Sequence, residues 1–338
     1  MAEYTASKTR YTETEGTDFY RHCGKSGLML PPIALGLWHN FGSVDNYENM
    51  KQMCFTAFDH GITHFDLANN YGPVYGSAEE NFGRILREEM SAYRDEMVIS
   101  TKAGYDMWEG PYGNWGSRKY LIASLDQSLK RMGLPYVDIF YHHRMDPNTP
   151  LEETIAQIVR SGKALYVGLS NYDGPTMAKA ERILDELHCP FIINQNCYSI
   201  LDRTVEKNGL LKQTYASGRG LICFSPLAQG MLTDKYLQNI PKDSRVARDG
   251  RFLHEDQVVS MRPLLTELND IAAGYNMSLS ELAIAWLLNK PEVTTVLIGA
   301  SKPEQILSNL KAAEKQRTTE MEAEELALIE KAVNLYHA

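Results

Sequence analysis

The sequence predicts a closed (β/α)8 barrel with an N-terminal β-hairpin and a long loop after the seventh strand, on three observations. Eight short apolar or β-branched runs recur along the chain, at Ile33–Leu37, Thr63–Leu67, Met97–Lys102, Val137–Tyr141, Leu165–Ser170, Phe191–Gln195, Leu221–Ser225 and Thr295–Gly299. Between them lie stretches of helical period, and strand alternating with helix every 25 to 40 residues or roughly so implies parallel pairing through right-handed crossovers. An open doubly wound sheet is the rival, but Gly36 opens GLWHNFG, not the GxGxxG phosphate loop, after the first strand. Eight such units close a barrel.

Residues 1–18 (MAEYTASKTRYTETEGTD) contain no apolar h-region and no small-residue cleavage pattern, so a mobile polar tail is expected there, neither signal peptide nor anchor. Residues 19–338 are expected to form a single domain. Phe19–Ala34 reads as a hairpin ahead of the first barrel strand, with Gly24 and Gly27 in its turn, able to plug the bottom of the barrel. In Ser117–Met132, Leu121, Ile122, Leu125, Leu129 and Met132 recur at helical spacing with charges opposite, which predicts a surface helix with one buried stripe. Thr149-Pro150 followed by Glu152 and Glu153 supplies an N-cap, a first-turn proline and negative charge at the positive end of a helix dipole. Ser278 and Glu281 have capping-box spacing. The interval from the seventh strand to the eighth is about twice the usual one and holds a Gly-, Pro- and Arg-containing segment, Pro226 to Leu253; long loops in compact domains are usually functional.

With 34 Lys+Arg against 43 Asp+Glu, the 338-residue chain carries a net charge of −9 and no concentrated basic stretch, which excludes the footprint expected for nucleic acid or an anionic membrane. The longest uninterrupted apolar run, Leu282–Leu288, falls far short of the roughly 20 residues that cross a bilayer. Cys23, Cys54, Cys189, Cys197 and Cys223 are odd in number, widely spaced and without a CxxC pair, which argues against a disulfide framework or zinc knuckle and makes a reducing cytoplasm the expected setting.

Barrel chemistry gathers at the carboxyl ends of strands. The second predicted strand ends in Asp66 and runs into Asn69-Asn70-Tyr71-Gly72, the third ends in Lys102, and the fourth in His142-His143-Arg144. A lysine in a barrel mouth is costly unless paired, and Asp66 is the available partner; taken alone, the two read as a structural ion pair. Tyr71, free to fold back over the mouth, changes that reading, because a phenol with a pKa near ~10 becomes a useful proton donor when a cation such as Lys102 lowers it. His143, as a neutral imidazole, is expected to polarise a substrate oxygen. A metal site built from His142, His143, Asp66 and Asp146 is disfavoured, since adjacent strand residues face opposite ways and neither HxH nor HExxH occurs. The remaining strands end in uncharged groups, Ser170-Asn171, Gln195, Phe224-Ser225 and Gly299-Ala300-Ser301. Such residues often only finish strands, but neighbouring Asn and Gln side chains can pair with a carboxamide while Phe224 offers a flat face, so a nicotinamide would fit. Trp38, Tyr75, Trp108 and Trp115 are expected as substrate walls, with Arg144 or Asn70 for a polar substituent; the alternative is that the tryptophans only pack loops.

The segments HFDLANNYG (64–72), ISTKAGYDMW (99–108), VDIFYHHRMDPNTP (137–150), YVGLSNY (166–172), FSPLAQGMLTDKY (224–236) and VLIGASKPEQILSNL (296–310) resemble the aldo-keto reductases, in order, over about residues 19 to 335. SAEENFGRILRE (77–88) and the YDMW and DPNTP phrases look most like the bacterial L-glyceraldehyde 3-phosphate reductases and the β subunits of voltage-gated potassium channels. The resemblance implies a tetrad in which Tyr71 is the general acid, Lys102 lowers its pKa, Asp66 holds Lys102, and His143 orients the carbonyl; the channel subunits carry asparagine at that last position. It implies that Ser170, Asn171 and Gln195 hold the nicotinamide carboxamide and Phe224 stacks on its ring. Trp38 would border both cofactor and substrate, and Ser225, Leu227, Gln229, Gly230, Leu232 and Lys235 would follow the pyrophosphate. Ser244 and Arg245 would fold over the dinucleotide, and Gly299, Ala300, Ser301, Gln305, Ser308 and Asn309 would surround the adenosine. Many members carry arginine where Gln305 stands, so Arg245 and Lys302 would have to hold a 2′-phosphate, with NADPH expected over NADH. The implied activity is NADPH-dependent reduction of small carbonyls such as L-glyceraldehyde 3-phosphate or methylglyoxal, without metal, by a homo-oligomer (tetramer or octamer). The alternative is an NADPH-binding regulatory subunit docked on a channel-like partner, with little turnover.

Overall fold

Each of the eight apolar runs becomes a strand, buried on both faces apart from a few positions near strand ends such as the exposed Leu165, as expected for parallel strands sandwiched between a barrel interior and a layer of helices. In the computed structural model, which describes residues 4–12, 19–154, 162–242, 244, 246, 253–319, 321 and 323–337, a short hairpin comes first, β1 (Arg21–His22) antiparallel to β2 (Met29–Leu30). The barrel strands are β3 (Ile33–Gly36), β4 (His64–Asp66), β5 (Val98–Ala103), β6 (Val137–His142), β7 (Ala164–Ser170), β8 (Phe191–Cys197), β9 (Gly220–Phe224) and β10 (Thr295–Ile298). All neighbours pair in parallel in chain order, and β10 pairs with both β9 and β3, so the sheet closes. The predicted (β/α)8 barrel with its hairpin is the observed fold.

Two apolar cores follow from the alternation of strand side chains. One lies between strands and helices. The other lies inside the barrel, where Ala34, Ile139, Tyr141, Ile193, Ile222 and Leu297 meet Cys23 and Leu30 of the hairpin. The hairpin does close the amino end: Cys23 Sγ donates to the Ile192 carbonyl at 3.4 Å, and the Lys25 N–H donates to the Gly218 carbonyl at 2.8 Å. Above this plug the ring of Tyr141 lies across β7, where Gly168 leaves the space; a Cβ on Gly168 would stand 2.2 Å from the ring.

The helix Arg118–Met132 starts on Ser117, whose side chain accepts the Tyr120 N–H, and ends on left-handed Gly133. Its stripe is buried except for Ile122, which is 37% exposed and lies off the face that Leu121 and Leu125 bury. Leu279–Leu288, apolar all round, is buried, and the Ser278–Glu281 capping box is present. No single helix among the described residues is long and apolar enough to cross a membrane.

Two expectations need correction. Residues 4–12 are not a free tail: the Tyr4 ring stacks on Phe55 at 3.9 Å, its hydroxyl donates to Asp59, and the Arg10 guanidinium grips Glu96. Aromatic and arginine anchors hold a segment whose composition looks soluble. The helix after Pro150 begins at Leu151, so Pro150 stands just ahead of the first turn instead of within it, and the Thr149 hydroxyl donates to Asp146.

Gly168→Ala should overpack the barrel interior and lower unfolding stability by about 1 to 3 kcal/mol in urea titrations. An unchanged midpoint would mean that Tyr141 relaxes freely and does not constrain β7.

Candidate active site

Asp66 and Ser100 are register partners on β4 and β5, and Lys102 follows Ser100 by two residues, so all three side chains share the barrel interior. Asp66 and Lys102 are fully buried. Lys102 Nζ donates to Asp66 Oδ2 and to the Leu67 carbonyl, both at 2.5 Å. Asp66 Oδ1 accepts from Ser100 Oγ at 2.6 Å and from Gln195 Nε2 at 3.2 Å. Burial pushes the Lys102 ammonium toward deprotonation, and the Asp66 carboxylate opposes that.

Tyr71, half-buried in the loop after β4, closes over this pair with its ring centroid 4.9 Å from Lys102 Nζ. Its phenol is held well above the usual range, first by burial and then by the charges of Asp66 and Tyr105. The lowering expected from Lys102 is therefore not what the protein alone produces: burial dominates, and the Asp66 carboxylate beside the ammonium acts in the same direction. His143 packs edge-on against Tyr71 at 6.0 Å and Tyr105 at 4.6 Å. Burial pushes its imidazole well below the ordinary histidine value, with Lys102, His142 and Arg144 acting in the same sense, so it is neutral. Its Nδ1 is buried without a hydrogen-bond partner. His142, one residue earlier, faces the helices and bonds the Tyr172 hydroxyl through Nδ1 at 2.7 Å. Among the described residues, no group of three or more His, Cys, Asp or Glu side chains is arranged to hold a metal.

The uncharged half of the rim is wired to the charged half. Asn171, left-handed at φ 58°, donates from Nδ2 to the His143 carbonyl at 2.9 Å and to Ser170 Oγ at 3.2 Å, while Gln195 reaches Asp66. Phe224 is half-buried at the end of β9. Beyond it, positive φ at Ser225, Ala228, Gln229 and Gly230 builds the kind of turn whose N–H groups form an anion-binding concavity. Gln229 Nε2 donates to Ser225 Oγ at 3.0 Å. Leu227 is half-buried, Leu232 is in the core, Lys235 is exposed, and Ser244 is buried. Arg245 lies outside the described residues. After β10, a Cβ on Gly299 would meet nothing within 4 Å, and Asn40 and Asn49 hold the carbonyls of Ala300 and Ser301. Gln305 accepts from both the N–H and the hydroxyl of Ser301, and Asn309 is buried. The open rim over Gly299, the left-handed turn and the half-buried Phe224 face fit an extended dinucleotide.

On the substrate side, Trp38 is 39% exposed with its ring 6.4 Å from that of Tyr71, and Tyr75 and Trp115 are also exposed. Trp108 packs on Tyr120 at 5.1 Å and props its loop. Arg144 is wedged by the rings of Trp115 and Tyr105, 3.7 and 4.3 Å from their centroids, and donates to the Gly104 carbonyl and to Asn114 Oδ1. Those acceptors are neutral, so its charge is not cancelled by them. Sequence reasoning missed Ser100, His64 and Tyr105 at this site; the spacing of two residues along β4 and β5 was the available signal for the first two.

Residues 32–332 match the Aldo/keto reductase family. The chain is 54% identical to the L-glyceraldehyde 3-phosphate reductase of Escherichia coli K12 over 321 residues, 91% of this chain and 90% of the relative. It is 52% identical to the protein of the same name from E. coli O157:H7 over 342 residues, covering 98% and 95%. A putative voltage-gated potassium channel subunit beta of Schizosaccharomyces pombe is 35% identical over 320 residues, 91% of this chain and 92% of the relative.

His64 and His142 are pushed to about 4 by burial, and His143 is lowered too. The unfolded chain binds protons to these groups before the folded one does, so stability should fall as pH drops from about 6.5 toward about 4, by a few kcal/mol for each of His64 and His142, with His143 acting in the same direction. Urea midpoints measured across that range check this; a flat profile would show that the histidines are charged in the native state.

Proposed function

Because this chain belongs to the aldo/keto reductase family, a family of oxidoreductases, we propose that it reduces L-glyceraldehyde 3-phosphate and related small aldehydes such as methylglyoxal with NADPH, using Tyr71 as general acid. The observation that carries this reading is the Tyr71 phenol set 4.9 Å, from ring centroid to Nζ, over a buried lysine–aspartate pair. A bound nicotinamide supplies the hydride. Tyr71 keeps its proton at neutral pH, since burial and Asp66 both oppose the phenolate, and gives it to the carbonyl oxygen as negative charge develops there. Lys102 then lies close enough to stabilise the phenolate until it is reprotonated. Neutral His143, fixed by Tyr105 and by Asn171 on its carbonyl, orients the substrate oxygen.

Ser170, Asn171, Gln195 and Phe224 are proposed to receive the nicotinamide, and the Ser225–Gly230 turn the pyrophosphate. Lys302, exposed at the start of the helix Pro303–Thr318, is the described cation nearest in sequence to the proposed adenosine rim and would take a 2′-phosphate, because Gln305 cannot. The substrate phosphate is assigned to Arg144. Two aromatic rings and two neutral acceptors fix its guanidinium before any ligand arrives, which favours a charge-assisted contact. The relatives named for L-glyceraldehyde 3-phosphate support this substrate class.

Tyr71→Phe should bind NADPH normally, by nucleotide fluorescence, and lose at least about 100-fold in turnover, followed as absorbance at 340 nm; near-normal turnover would defeat the assignment. Arg144→Met should raise KM for L-glyceraldehyde 3-phosphate about 10-fold or more while leaving methylglyoxal reduction within about 2-fold. Equal losses on both substrates would remove Arg144 from the phosphate site.

A further inference from the structure

Below the lysine–aspartate pair the barrel interior holds two more polar side chains that the chemistry above does not use. Ser100 and His64 are each fully buried, on β5 and β4, two residues before Lys102 and Asp66. Ser100 Oγ lies 2.6 Å from Asp66 Oδ1 and 3.0 Å from His64 Nε2. A serine hydroxyl has one proton to give. It goes to the Asp66 carboxylate, so the second contact must be a donation from His64 Nε2 to Ser100 Oγ. His64 is thus the Nε2–H tautomer, which agrees with its neutral state and with an Nδ1 that has no partner. The hydrogen bonds run one way, from His64 through Ser100 to Asp66, and meet there the opposing donation from Lys102.

We propose that Ser100 and His64 are positioning residues for the proton-transfer step: their directed hydrogen-bond chain holds the Asp66 carboxylate so that Lys102 stays seated under Tyr71. This rests on the reductase reading above. A carboxylate with Ser100 removed keeps only Gln195 on Oδ1 and can rotate toward Lys102, drawing the ammonium off the Tyr71 ring. Its negative charge is also less dispersed. The groups that face the phenol and ion pair are Asp66 on β4, Lys102 on β5, Tyr141 on β6, Glu79 on the helix Ser77–Ile85, and Tyr105 and His143 on the rim loops. His64 on β4 faces the pair from below, and of all these groups only Asp66 and His64 bond Ser100 directly, so a change at Ser100 reaches the phenol through Asp66 and the Lys102 it holds. Since Asp66 raises the phenol, a less compensated carboxylate raises it further.

The test uses the full-length protein with NADPH and L-glyceraldehyde 3-phosphate, and the alcohol product with NADP for the reverse direction. Ser100→Ala should lower kcat about tenfold, with KM and NADPH affinity within about 2-fold. The limb of the pH profile set by Tyr71 should move to higher pH in both directions. His64→Leu, which removes the donor, should behave like Ser100→Ala, and His64→Gln, whose amide can donate to Ser100, should recover most of the loss. A folded Ser100→Ala protein with wild-type kcat and pH profile would overturn the proposal. So would equal impairment in His64→Leu and His64→Gln, which would reduce His64 to a packing residue and stands as the deciding result if Ser100→Ala does not fold. Inactivity of the wild-type protein toward every aldehyde would instead strike the reductase reading itself.

Discussion

Two opposite charges taken out of water inside a barrel cost several kcal/mol each unless every lone pair and proton finds a partner. Asp66 and Lys102 go most of the way to that condition, the ammonium with two of its three protons placed and the carboxylate with three donors, and this dictates the surrounding sequence. Lys102 spends donors on Asp66 and the Leu67 carbonyl; Asp66 takes Ser100 and Gln195 on its other oxygen. Because these partners sit on β4, β5 and β8, the pair is correct only when the barrel is closed with this register. The closed sheet is thus a condition for the charge pair, and the charge pair is what gives the mouth its chemistry.

The same ion pair sets the electrostatics above it. Burial raises the Tyr71 phenol and lowers the His143 imidazole, and the ion pair adds to each in the same sense, the carboxylate on the phenol and the ammonium on the imidazole, so the proposed acid keeps its proton while the imidazole stays uncharged. Burial and one ion pair thus push two titratable groups in opposite directions, into the states that the proposed reduction of a carbonyl requires. Gln195 and Asn171 connect this centre to the rim proposed for the nicotinamide, which makes the geometry of proton donor and hydride donor interdependent.

The strands are legible in the sequence because burial on both faces demands near-continuous apolar runs, and the ends of those runs mark the rim. That rule finds Asp66, Lys102 and the His142–His143 pair; alternation says only that the two histidines face opposite ways, and the resemblance of the phrase beginning at His143 is what selects it. It passes over Ser100 and His64, since they lie inside the strands, where a polar residue reads as an interruption and not as a partner. Residues 4–12 read as a tail because their anchors, Tyr4 and Arg10, are few among polar neighbours; only the surface they dock on reveals them. The state of Tyr71 is likewise invisible from composition: the cation beside it can be inferred from Lys102, but the depth of burial that overrides the cation is a property of the closed mouth.

The central claim, that the buried pair governs proton delivery by Tyr71, is tested most directly by replacing both charges at once with neutral groups of similar shape, Asp66→Asn with Lys102→Met. Removing a buried pair together avoids stranding one charge, so the double variant is expected to fold and to bind NADPH. The account predicts loss of the chemical step by about 100-fold or more in single-turnover reduction of L-glyceraldehyde 3-phosphate. A folded, cofactor-binding double variant that reduces the aldehyde at the wild-type rate would contradict it.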